Sequence, residues 1–234
     1  MQVQPILNGI PVINNLQAAQ KFAVNIDKYE SITQSLYDSA GYPTTGINTL
    51  TFFQVPIGSG AGVISAAGKT PEDTNMVAAG SMPNMQAFIV TSVEVEFQPA
   101  IVFATAAGQP AVFGAGAVAS SINDSWKFRA TGWLNFTIGS KPYLIEGPMM
   151  KFPASNDFEI NAAMSDASTA AASQQSRISF AKAVGPSYML SPNNLLLIPM
   201  QNFVVTLNWQ TLETVTSAAR VFVRLMGQLL RAAQ

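Results

Sequence analysis

Neither cysteine nor histidine occurs in the chain, and the two absences remove most catalytic chemistry at once. Without cysteine there is no disulfide, no thiolate metal ligand and no thiol nucleophile, while the redox compartment stays open. Without histidine the commonest general base and metal ligand is gone. A zinc site, a Ser-His-Asp triad or a haem ligand set cannot be assembled. Carboxylates, lysine, tyrosine and serine are all that remain, so the chain reads as a non-enzyme with no cofactor and no metal.

Charge is scarce as well. Charged residues make up 11% of the 234 residues, net charge is −1, and twelve Lys and Arg are scattered from Lys21 to Arg231 without a run. A typical globular domain carries about 25%. Direct nucleic-acid binding needs a basic stripe, and none is visible. The opening "MQVQPILNGIPVINN" has two prolines and no basic run, unlike a signal peptide. An uncharged stretch between Glu96 and Asp124 is long enough to reach across a bilayer. Pro99, Gly108, Pro110, Gly114 and Gly116 interrupt it, so a strand followed by loop over a covered surface is the expectation there.

What is present is β-structure. "NMQAFIVTSVEVEFQ" alternates, with Ile89, Val93, Val95 and Phe97 on one face and Ser92, Glu94, Glu96 and Gln98 on the other. "SWKFRATGWLNFTIGS" alternates more cleanly: Trp126, Phe128, Ala130, Leu134, Phe136 and Ile138 oppose Lys127, Arg129, Thr131, Asn135 and Thr137. With "KPYLIEGP" it predicts a hairpin over 126–148. In "LLLIPMQNFVVTLNWQ", Phe203, Val205, Leu207 and Trp209 should fill a core, leaving Val204, Thr206 and Asn208 outward. The run "RVFVRLMGQLL" sets Val221, Val223 and Leu225 against Phe222, Arg224 and Met226. "INTLTFFQV" reads as a further strand, with weaker ones in "NDFEI" and "RISFAKAV". Residues 162–176 read as an exposed low-complexity loop.

The only helical signal lies early. "NLQAAQKFAVNIDKYESITQSLYDSA" has Asn15 as an N-cap and Phe22, Ile26 and Tyr29 at spacings of four and three. The organisation expected is therefore an N-terminal arm with a short helix over 1–45 and one antiparallel sandwich or barrel over 46–234.

Several motifs resolve into simpler readings. "VISAAGKT" ends like a phosphate-binding loop, but position 63 is valine where the motif needs glycine, and Pro71 follows where a helix should start. A Gly-rich surface loop is expected. Ser179 and Lys182 have the spacing of serine acyl-transferases, yet on a strand they point to opposite faces. Glu94 and Glu96 share a strand face that reads as solvated. "PEDTN" and "SNDFE" are rich in oxygen but lack the spacing of a calcium loop. Among the three tryptophans, Trp126 and Trp209 lie on apolar strand faces and read as core. Trp133 falls on a polar face, where it is a candidate for an interface or for stacking a sugar.

Missing charge has its own consequence. Uncharged β-surfaces associate, and interface cores are depleted in charge, so an assembly subunit is expected. Trp133, Val204, Thr206 and Asn208 are the candidate interface residues.

The order "LLLIPMQNFVVTLNWQ", a short polar loop, then "RVFVRLMGQLLRAAQ" resembles the last two strands of viral jelly-roll capsid proteins. "TTGINTLTFFQVPIGSG" followed by "DTNMVAAGSMPNMQAFIVTSVEVEF" is similar in style to their early strands. The resemblance covers most of the chain in organisation and carries no diagnostic motif. It implies a single eight-stranded antiparallel jelly-roll sandwich and a major capsid subunit of a tailless icosahedral bacteriophage. Such a subunit forms homo-oligomeric capsomers with other virion proteins on a shell that often encloses a membrane, located in the virion and assembled in the host cytoplasm. The alternatives are another virion component, such as a spike or fibre head, and a carbohydrate-binding jelly-roll module.

Overall fold

The computed structural model describes residues 6–7, 10–11, 29–63, 67–99, 115–154, 158–164, 176–182 and 187–232. These residues form thirteen strands and one α-helix. Two short antiparallel pairs stand apart: β1 (Ile6–Leu7) with β2 (Ile10–Pro11), and β8 (Phe158–Met164) with β9 (Ser176–Lys182). The rest build two antiparallel sheets.

The first sheet contains β3 (Tyr29–Tyr42), β13 (Ala219–Ala232) and β5 (Gln86–Gln98), in that order. On the far side of β5 lie β10 (Tyr188–Met189) and β11 (Leu195–Leu197). The second sheet has the order β4 (Thr49–Phe52), β12 (Phe203–Asn208), β6 (Trp133–Ile138), β7 (Lys141–Glu146). The pairing is nested. β6 pairs with the strand that follows it, β5 with β10 and β11, β4 with β12, and β3 with β13. Each successive pair thus encloses the one before.

One core lies between the two sheets. Leu36, Val93, Val95, Phe97, Val221, Val223 and Leu225 come from the first sheet, and Leu50, Phe52, Leu134, Phe136, Phe203, Val205 and Leu207 from the second. Burying one such side chain contributes roughly 1.5–3 kcal/mol, so the alternation alone drives both faces inward. The expected inward sets on β12 and β13 lie inside, Trp209 included.

Four expectations change. Residues 29–40, read as helical, belong to β3, where fourteen residues pair with β13. Sheet pairing outweighs local helix propensity there; the remainder of that stretch, 16–28, lies outside the described residues. The predicted hairpin starts late: Ala115–Ala130 is helix α1, and only Trp133–Glu146 forms the hairpin. On the helix Asp124 and Phe128, one turn apart, are buried, which turns Trp126 outward at 62% exposure instead of into the core. Gly132, at φ +74°, ends the helical path and lets the backbone pass under Trp209, where a Cβ would sit 2.6 Å from Nε1. Finally, the register shifts between Met226 and Gly227 against β5, so Ile89 faces away from Val93. It joins Leu230, Ala87 and Leu196 in a small separate cluster. The predicted loop at 162–176 begins inside β8, and its middle lies outside the described residues.

Candidate interface face

The outer surfaces of the two sheets are opposite in character. On the first sheet the cross-strand rows are Ser39, Phe222 and Glu96, then Tyr37, Arg224 and Glu94, then Gly41, Arg220 and Gln98. This face is rich in charge, yet Glu94, Glu96, Arg220, Phe222 and Ser39 are all buried. Glu94 and Glu96 do share the outer face as expected, but that face is not solvated. Arg224 pairs with Glu96. The Arg220 and Arg224 guanidinium carbons lie 4.2 and 4.8 Å from the Phe222 ring centre, so the ring is held between two cations. Burial pushes the Arg220 and Arg129 pKa values down, while the neighbouring carboxylates push them up.

The Gly-rich segment that reads as a surface loop supplies part of that cover. Residues 67–76 run around the β3 edge and touch both faces. On the outer side Asp73 accepts from Arg220 at 3.0 Å and from the Ser39 hydroxyl at 3.1 Å. At the edge, Asn75 Oδ1 accepts from the Tyr37 amide at 2.9 Å and Asn75 Nδ2 donates to the Ser35 carbonyl at 2.7 Å. On the inner side Lys69 Nζ donates to Asp38. The Asp73, Thr74 and Asn75 side chains of "PEDTN" are therefore turned onto protein partners. Among the described residues no group of three potential metal ligands occurs.

On the second sheet the outward rows are Thr49, Asn208 and Trp133, then Thr51, Thr206, Asn135 and Ile145, then Val204 and Thr137. None is charged. The four residues singled out from sequence, Trp133, Val204, Thr206 and Asn208, thus lie together on one face. Thr49 donates to Asn208 Oδ1 at 3.1 Å, Asn208 donates to the Thr206 hydroxyl at 3.0 Å, and Thr137 donates to Asn135 at 3.4 Å. Several of the polar groups on this face thus bond to one another. Beside them Trp133 is 38% exposed and Ile145 63%. Sequence reasoning missed Ile145 and the neighbouring exposed Tyr143, because β7 lacks a clean alternation: the register against β6 shifts between Phe136 and Thr137. The exposed "PY" of "KPYLIE" on the edge strand is the signal that could have found them.

No protein-family model, curated protein or solved structure matches the chain. Among the described residues no helix is long and apolar enough to cross a membrane, a statement that does not extend to strands.

Proposed function

We propose that the chain is a structural, non-enzymatic subunit that assembles with copies of itself through the outer face of the second sheet. The observation that carries this is the inverted polarity of the two sheets. Charge is covered on the first, and on the second an uncharged face with Trp133 and Ile145 stands open. A sheet face that carries no charge and pairs several of its polar groups internally favours association.

The nested pairing supports a finer reading of the fold. Taking β10 and β11 as one interrupted strand, eight strands pair first with last, second with seventh, third with sixth and fourth with fifth. A long hairpin rolled over itself in this way is what a single jelly roll requires, and the pairing supports that reading. With the resemblance to viral jelly-roll capsid proteins, it favours a major capsid subunit of an icosahedral bacteriophage, building a shell with other virion proteins. A spike or fibre head is the nearest alternative. A carbohydrate-binding module rests on the exposed Trp133 ring beside Asn208 and Asn135, and a glycan array comparing wild type with Trp133→Ala tests it.

The assembly reading is tested by light scattering and negative-stain microscopy over a range of protein and salt concentration. Wild type should form closed particles or ordered sheets. Thr206→Glu, which buries a charge in any contact on this face, should stay dispersed with an unchanged circular dichroism spectrum. A wild-type chain that remains monomeric throughout overturns the proposal.

A further inference from the structure

Three features converge where residues 67–76 meet the inner side of β3. Lys69 and Asp38 are 7% and 1% exposed, and Nζ lies 2.5 Å from Asp38 Oδ1. The lysine is fixed on both sides: its amide donates to the Ser59 carbonyl at 3.1 Å, its carbonyl accepts from Gly58, and Nζ also donates to the Ser39 carbonyl at 2.9 Å. The third feature is Phe53. It holds a left-handed backbone, φ +69°, which costs a bulky residue roughly 1–3 kcal/mol. In that conformation its amide donates to Asp38 Oδ2 at 2.6 Å.

We propose that Lys69 and Asp38 condense into an intramolecular amide, an isopeptide cross-link fastening the 67–76 loop to β3. The ion pair supplies both reactants once a single proton moves. Transfer from Nζ to Oδ1 across the 2.5 Å contact leaves a neutral amine beside a carboxylic acid. Burial, the largest influence on the Asp38 carboxyl, raises its pKa and so favours the protonated form. The amine attacks Cγ, and the charge that develops on Oδ2 faces the Phe53 amide, a donor already in place. The C–O bond to Oδ1 breaks, that oxygen leaves as water with two protons, and the amide nitrogen keeps one hydrogen. One C–N bond forms, one C–O bond breaks, and nothing is oxidised or reduced.

Fixed proximity is what makes such a step accessible. Well-oriented intramolecular reactions reach effective molarities of about 10⁵–10⁸ M. A buried ion pair yields little net stability against its desolvation cost, whereas the amide removes both charges. The cross-link does not depend on assembly, since a monomer would carry it equally.

Intact mass spectrometry of the purified full chain tests it. After allowance for the initiator methionine, wild type should be lighter than its sequence by one water. Lys69→Arg should have its full sequence mass. Tryptic digestion of wild type should give no cleavage after Lys69, and the resulting peptide from Tyr29 to Lys127, which holds both Asp38 and Lys69, should be lighter than its sequence by one water, with fragmentation placing the loss on that pair. A wild type at full sequence mass after prolonged incubation at neutral pH overturns the proposal. So does a water loss that maps to any other residues. Both outcomes are read on wild type and do not require that a variant fold.

Discussion

Arg220 of β13 reaches across the outer face of its sheet to Asp73, and the two side chains meet at 3.0 Å with 7% and 0% of their surface exposed. Removing one partner from a pair this deep strands the other. Asp73→Ala should therefore cost about 3–5 kcal/mol, more than the same change at the half-exposed Glu30, whose partner is Arg231. Urea unfolding of the two variants side by side checks the difference. Equal midpoints would mean that the Asp73 pair is no more than a surface contact.

Gly227 tolerates no side chain. A Cβ there would lie 1.8 Å from the Ile89 carbonyl oxygen, at the point where the β13 register shifts against β5. Gly227→Ala should split the sheet locally and yield insoluble or unfolded protein. Gly58, by contrast, has φ +80° and open space for 4 Å around the point where a Cβ would stand, so Gly58→Ala should cost only about 1–2 kcal/mol of backbone strain. Soluble expression and thermal melts of both variants separate a steric from a conformational demand.

Tyr42 is fully buried and donates to the Glu213 carbonyl at 2.7 Å. Burial above all, with the Glu213 charge behind it, pushes its pKa up to about 12. Because the folded value exceeds the unfolded one near 10, the associated stability is complete below pH about 10 and is lost as pH rises through about 12. Ultraviolet titration should show a tyrosine ionising near pH 12, and Tyr42→Phe should abolish that step while leaving the raised Tyr188 in place. If every tyrosine ionises together while the protein remains folded, the burial assignment fails.

Asn75 seals the β3 edge by bonding to both Tyr37 and Ser35. Asn75→Ala should lose about 1–2 kcal/mol and expose ladder groups that pair readily with another chain. Static light scattering should rise with protein concentration faster than for wild type. Scattering identical to wild type would show that the edge is protected without this side chain.

Where alternation ran uninterrupted, the fold was legible. Phe203 to Trp209 and Val221 to Leu225 declared both faces of their strands, and the same pattern placed Val204, Thr206 and Asn208 on the face where Trp133 lies. It failed where a long-range partner decides. Asp38 occupies an inward position of β3, so the strand lacks a clean apolar stripe, and Lys69 together with the Phe53 amide makes that position tolerable. Trp126, Phe128 and Ala130 alternate as a strand would, but Asp124 bonded to the Thr216 amide and hydroxyl anchors a helix instead. Glu94 and Glu96 declared their face correctly and concealed its burial, because the sequence pattern reports direction and not what lies above it.

The outermost of the nested pairs also sets a clock. Glu30 and Arg231 bond across 201 residues of chain, and β13 is the last of the described strands to leave a ribosome. Until it emerges, β3 and β5 lack the strand that lies between them, and the first sheet cannot close. Contacts of such separation form slowly. A nascent chain arrested before Ala219 should remain open to protease, so a partly translated copy has no finished sheet to offer a neighbour.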